Sequence, residues 1–380
     1  MTAIDAPAPV PARQRRGFLA RLLGSEYFVL WLTVGYFLVL LPFLPTLGTP
    51  ANLVNLLSNM WPLLVVAIGQ TFVMAVAGID LSQGAVMALT STLAAALLAT
   101  GADPAVLAKA PIWGVLLSER GGLLDGRGGV GLALGLGLAV LAAVAVGLMN
   151  GIAVARFRMP PFMVTLVAMM IAGAFAIWLT QSENIRNLPE QFIALGKGDI
   201  VSVYFGARTE SQLPRREVYP LVTYPAIVAI IVAVLAHWLL ERTVFGRQVI
   251  AVGANRRAAE ISGVPVVRVL ILAFALSALF AAIGGLLYAA RLEAGRPTLG
   301  SGTFLLDVIG ATVIGGTSLF GGKARVIWTV FGVAFFVLLS NSLNLMNLSS
   351  FHVDMVKGAV ILGAALLDVA RTRLTRQALP

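Results

Sequence analysis

Residues 129–154 read GVGLALGLGLAVLAAVAVGLMNGIAV. As a helix this stretch extends roughly 39 Å at about 1.5 Å per residue, more than the hydrocarbon core of about 30 Å that it would have to cross. Between positions 130 and 146 it carries no polar side chain. A transmembrane β-strand would alternate polar and apolar residues over a segment of about ten, so a membrane helix is the reading that remains.

The rest of the chain repeats this pattern. Apolar runs fall at 27–47, 53–77, 84–100, 129–154, 162–180, 220–240, 269–290, 304–319, 326–346 and 353–369, ten expected spans in all. Of the 380 residues, 59% are hydrophobic and 12% charged. Soluble domains carry about 25% charge, so a water-soluble globule is excluded. The expected fold is an all-α polytopic membrane protein. A basic segment at 1–26 precedes a single transmembrane domain over 27–370, and a basic tail follows at 371–380. The apolar stretch after the N-terminal arginines is about 20 residues long with no Ala-x-Ala site behind it, which reads as an uncleaved first helix.

A net charge of +10 raises the question of nucleic acid, and the distribution of the charge answers it. With the N-terminus placed in the cytoplasm, the inner segments hold 16 basic and 6 acidic residues and the outer ones 10 basic and 9 acidic. That asymmetry is the positive-inside pattern, and an even number of spans puts both termini inside. No cysteine is present and only two histidines, so neither a thiolate site nor a metal centre is expected. No cofactor is expected on this chain.

Two loops stand out. The outer segment 181–219 carries five basic and five acidic side chains, polar enough to be a solvated excursion and long enough for a small helix or a docking surface. On the inner side, 241–268 holds a helix-like piece, Asn255 to Ser262, framed by Gly253 and by Gly263-Val264-Pro265, which is either an ordered handle for a partner or a plain connection.

A polytopic protein of this size is an enzyme, a channel, an ion-coupled carrier or one subunit of a pump. An enzyme needs paired carboxylates, a histidine cluster or a nucleophile with its base, and two distant histidines supply none of these. Near Gly316 to Lys323 the glycine of a phosphate-binding loop is replaced by Thr317, and Ala324 stands where Ser or Thr is required. ATP, if used, binds another chain. A self-sufficient ion-coupled carrier needs ionisable groups at mid-membrane. The candidates are Asp307 and the pair Asp354 and Lys357, whose i and i+3 spacing puts them on one helix face, close enough to pair with each other. Asp80, in Gly78-Ile79-Asp80-Leu81-Ser82-Gln83-Gly84 at an expected inner boundary, either caps the next helix or serves as a hinge or path element. Gly284, Gly285, Gly310, Gly315, Gly316, Gly321 and Gly322 allow close helix packing or a helix broken at Gly315-Gly316. Asn55, Asn59, Gln70, Asn150, Thr165, Asn341 and Asn344 suit interhelical hydrogen bonds or a path for a neutral, hydroxyl-rich solute.

Several of these motifs, in order, resemble a known family. Ala67-Ile68-Gly69-Gln70-Thr71-Phe72-Val73, the Gly78 to Gly84 run, Leu148-Met149-Asn150-Gly151, Phe162-Met163-Val164-Thr165-Leu166, Phe245-Gly246-Arg247, Ala251-Val252-Gly253-Ala254-Asn255, Ala258-Ala259, Ile261-Ser262-Gly263-Val264 and Ile314 to Gly322 resemble the permease subunits of ribose/xylose-type ABC importers, the branched-chain-type binding-protein-dependent inner membrane components. The match runs from about 52 to 368. The resemblance implies a multi-pass permease of a bacterial inner membrane, passing a pentose or related monosaccharide from a periplasmic sugar-binding protein. It also implies a cytoplasmic ABC ATPase, which would explain the missing nucleotide site, and a second permease copy. In the inner loop it points to a coupling segment with Gly246, Arg247, Gly253, Asn255, Ala258, Ala259, Ser262 and Gly263. The path candidates are then Asn55, Gln70, Asp80, Ser82, Asn150, Thr165, Asp307, Asn341 and Asn344. The stretch from Gly101 to Arg127 and the outer loop are longer than in the shortest members, and Gln83 stands where valine is common.

Overall fold

The computed structural model of the chain describes residues 27–204 and 218–377. The basic segment 1–26, the centre of the outer loop at 205–217 and the end of the tail at 378–380 lie outside the described residues. What is described is mostly helix. In chain order the helices are α1 Phe28–Leu40, α2 Pro50–Ala75, α3 Gln83–Leu98, α4 Pro104–Leu107, α5 Gly128–Arg156, α6 Pro161–Thr180, α7 Glu190–Lys197, α8 Tyr224–Arg242, α9 Val244–Ala254, α10 Arg256–Ile261, α11 Val266–Leu292, α12 Phe304–Gly315, α13 Val326–Leu345 and α14 Ser350–Gln377. By length and composition α2, α5, α6, α8, α11 and α13 can cross a membrane. The expected spans 27–47, 84–100 and 304–319 are met by the shorter helices α1, α3 and α12.

The all-α expectation holds with one exception, two small antiparallel hairpins. One pairs β1, Leu117–Ser118, with β2, Gly121–Gly122; the other pairs β3, Asp199–Tyr204, with β4, Val218–Thr223. The second occupies the outer loop, next to the small helix α7 anticipated there. Gly196 of α7 lies against the end of α11, where a Cβ would come within 2.2 Å of the Arg291 backbone nitrogen.

The bundle is built around α11, which packs along α5, α2 and α3. Small residues make the closest contact possible. Gly131, Gly135, Ala139, Ala143, Gly147 and Gly151 recur every four residues along the buried side of α5. A Cβ on Gly147 would lie 2.6 Å from the Phe274 carbonyl, and one on Gly151 2.7 Å from the Ile271 Cα. Leu134, Leu138, Leu141 and Met149 cover the exposed side, the division a membrane helix needs between packing and lipid. Gly284 and Gly285 fit the same logic against Val66 and Met87. The break at Gly315-Gly316 is present too: α12 stops there and Gly316 turns at φ +117°, a backbone open to glycine at little cost.

Candidate functional site

Two helices stop or start halfway through the bundle, and the polar residues gather there. The chain leaves α2 at Ala75, turns through 76–82 and begins α3 at Gln83. Gln83 Nε2 donates to Ser277 Oγ at 2.9 Å, and Ser277 is the twelfth of the 27 residues of α11. Counting from Val266 at about 1.5 Å per residue, the 80–83 segment sits roughly 16 Å into that helix. Asp80 therefore lies near mid-depth, not at the inner boundary expected from hydropathy. It does not cap α3 either: that helix has Ser82 at its N-cap position and no side-chain cap bond.

Asp80 is the hub of a buried network. One carboxylate oxygen accepts from the Ser82 backbone N–H at 2.9 Å and the Ser82 hydroxyl at 2.6 Å. The other accepts from the Ser277 hydroxyl at 2.7 Å. Asn150 Nδ2, on α5, donates to Ser82 Oγ at 3.0 Å. The Thr165 hydroxyl, on α6, donates to the Ile79 carbonyl at 3.1 Å, and Gln83 Nε2 also donates to the Val66 carbonyl at 3.2 Å. The turn is thus tied to α2, α5, α6 and α11 at once, and Asp80, Ser82, Asn150 and Thr165 are all buried. Gln83 and Ser277 belong to this network although the sequence reading did not put them in it. Gln83 carried a signal, a polar amide opening an apolar run.

The other path candidates lie apart. Gln70 is buried with neither amide atom partnered among the described residues. Asn341 exchanges two amide hydrogen bonds with Asn52, at 2.9 and 3.0 Å. Asn55 and Asn344 are exposed, and Asn59 accepts from Arg291 Nη1 at 2.8 Å. Lys357 pairs with Asp307 across α14 and α12 at 2.9 Å, not with Asp354 as the i, i+3 spacing suggested. Asp354 is exposed on α14, whereas Lys357 turns into the bundle toward a half-buried carboxylate.

Residues 293–303 form the second interruption. They leave the end of α11, pass Ser91, whose hydroxyl accepts from the Arg296 backbone N–H at 2.9 Å, and reach Gly84 at the start of α3. A Cβ on Gly84 would be 2.2 Å from the Gly300 carbonyl oxygen, so the two non-helical segments touch backbone to backbone. Seven residues of α3 separate Ser91 from Gly84, a descent of about 10 Å. The sequence had placed Arg296 in an outer loop.

The 241–268 loop forms α9 and α10. Thr243 Oγ1 accepts from the Gly246 N–H and Asn255 Oδ1 from the Ala258 N–H, which caps the two helices. Gly263 ends the element at φ +81°. Ala259 is buried beneath it, whereas Arg247, Asn255, Ala258 and Ser262 face out and Ile261 is 82% exposed. Gly246 is needed for space: its Cβ would fall 1.9 Å from the Leu240 carbonyl oxygen. Gly253 is needed for the same reason, since its φ is ordinary and its Cβ would lie 1.8 Å from the Ala75 carbonyl oxygen and 2.6 Å from the Gly322 nitrogen. Gly322 N–H itself donates to the Ala75 carbonyl at 3.0 Å. The end of α9, the end of α2 and the turn after α12 therefore meet at one point.

The chain has relatives among known proteins. The family described as branched-chain amino acid transport system / permease component matches residues 52–365. The ribose import permease protein of Bacillus subtilis is 34% identical over 324 residues, 85% of this chain and 86% of that protein. The ribose import permease protein of Escherichia coli K12 is 32% identical over 325 residues, 85% and 87% of the two chains. The L-arabinose ABC transporter permease protein of Azospirillum brasilense is 28% identical over 375 residues, 98% and 96%. No solved structure matches the chain at a significant level.

Proposed function

The chain belongs to the branched-chain amino acid transport system / permease component family, and from that premise we propose that it is the membrane permease of an ATP-driven sugar importer. It takes a pentose or related monosaccharide from a periplasmic binding protein and releases it into the cytoplasm of a bacterium, with ATP hydrolysed on a separate ABC ATPase. Both termini and the 241–268 loop face the cytoplasm, the bundle crosses the inner membrane about ten times, and two copies enclose one path. The relatives named for ribose and arabinose import support the substrate class.

The observation that carries the proposal is the seat of α9 and α10. α9 and α10 form an ordered, capped helical element whose side chains Arg247, Arg256, Arg257 and Ile261 stand exposed, and this offers a partner a preformed face. Behind that surface, the junction of Gly253, Ala75 and Gly322 touches the chain just before the 76–82 turn. A push from the ATPase on α9 is thus delivered within a few residues to the turn held by Asp80. Dispersed amides and hydroxyls, with few fixed charges, suit a neutral polyol that must bind weakly enough to leave.

Two variants test the assignment. In the reconstituted importer, Arg247→Glu reverses an exposed charge on α9 and Ile261→Asp replaces the exposed apolar side chain at the end of α10, neither touching the core. The expected result is ATP hydrolysis that no longer drives uptake, with the permease still inserted in the membrane. Normal uptake in both variants would sink the coupling role.

A further inference from the structure

The 297–302 segment has a composition that its location does not explain by packing. It reads Pro-Thr-Leu-Gly-Ser-Gly, it is not helical, and Gly300 stands against Gly84 at the start of α3, which the Gln83–Ser277 bond fixes near mid-depth. Thr298, Ser301 and Gly302 are nevertheless exposed. Irregular polar backbone is not found against lipid at such a depth, because its amides and carbonyls would have no partners; it is found where protein covers it or where it lines a water-filled cavity.

The segment does line a cavity, of about 400 Å³. One wall is this segment, with the Thr298 and Ser301 side chains. Ser301 Oγ donates to the Thr298 carbonyl at 2.6 Å, which leaves its lone pairs as acceptors. The facing walls are apolar: Ala85 and Ala88 from α3, Met169 and Gly173 from α6. A lipid chain would have no use for the hydroxyl wall, and an ion would have none for the apolar ones. A monosaccharide matches both, since its ring carries a C–H face and a rim of hydroxyls, and methionine adapts to variable apolar shapes.

We propose that 297–302 is the polar wall of the solute path, where Thr298 and Ser301 hydrogen-bond the hydroxyls of a passing monosaccharide whose C–H face slides over Ala85, Ala88 and Met169. The proposal rests on the importer reading and locates the path within it. None of these residues is in the Asp80 network. That network holds the turn, and this wall meets the cargo.

The chain has no cysteine, so single replacements report cleanly. Thr298→Cys and Ser301→Cys, in the full chain assembled with its ATPase and binding protein in proteoliposomes, are treated with a charged, membrane-impermeant methanethiosulfonate. Val234→Cys serves as a control, exposed on the apolar helix α8, and Thr312→Cys as a buried one outside the Asp80 network. The expected result is modification of Thr298→Cys and Ser301→Cys but of neither control, with loss of sugar uptake after modification. Thr298→Cys and Ser301→Cys staying unmodified like Val234→Cys would mean that lipid or a second subunit covers the wall, and would overturn the proposal. So would complete modification with uptake unchanged. Modification as expected in an assembly that imports no monosaccharide would leave the aqueous path standing and would instead defeat the importer reading, and with it the sugar as cargo.

Discussion

Replacing Gly84 by valine is expected to leave almost no correctly folded permease. The Cβ alone would stand 2.2 Å from the Gly300 carbonyl oxygen and 3.0 Å from its carbon, and neither backbone is free to retreat. Gly300 is held at φ +74°, and a Cβ on it would likewise lie 2.8 Å from the Gly84 Cα. On the other side, Gly285 fixes α11 against Met87, one turn along the same helix. Overpacking of a core ordinarily costs about 1–3 kcal/mol and more where the backbone itself must move, so a loss at or above about 3 kcal/mol is expected here. Gly173→Ala is the matched control, because its new methyl would meet only the Ala85 Cβ, at 3.7 Å. Thermal unfolding of the two variants in the same detergent checks the claim, and equal midpoints would show that the two segments are not locked together.

Asp80→Ala is expected to be the most damaging change among the polar residues. It strips acceptors from the Ser82 N–H, the Ser82 hydroxyl and the Ser277 hydroxyl together, all of them buried. Each unsatisfied buried group costs about 1–3 kcal/mol, and hydroxyl rotation recovers part of that, so a net loss of about 3 kcal/mol is reasonable. Asp80→Asn keeps one carbonyl acceptor and can donate from its amide to the Ser277 hydroxyl, so it should fold and lose far less. Measured stability and transport of the pair decide the matter. If Asp80→Ala behaves like the unaltered chain, the turn is not held by its carboxylate.

Much of this was legible in the sequence, and what was not has a physical reason. An apolar run such as 129–154 announces a membrane helix because length and the absence of polar groups suffice. The capped α10, between Asn255 and Gly263, was readable because caps are local. Depth is not local. Hydropathy counts residues along the chain and treats 84–100 and 304–319 as whole spans, whereas α3 and α12 are shorter helices of 16 and 12 residues whose partners start and stop beside them. Arg291, Glu293 and Arg296 look like a solvated outer loop by composition, and only the contacts of Arg296 with Ser91 and of Gly300 with Gly84 reveal the descent into the bundle. The same limit explains Lys357, for which the neighbour at i−3 is visible in the sequence and the carboxylate on α12, fifty residues away, is not. The four-residue spacing of Gly and Ala on α5, at 131, 135, 139, 143, 147 and 151, is local and stands in the sequence itself.

The source of the energy for transport separates an ATP-driven importer from an ion-coupled carrier. Proteoliposomes holding the permease, its ATPase and its binding protein, loaded with ATP and offered radiolabelled ribose, arabinose and xylose, should accumulate at least one of them only when both partners and hydrolysable ATP are present. Accumulation by the permease alone under a proton or sodium gradient, with no need of ATP or partners, would contradict the importer reading.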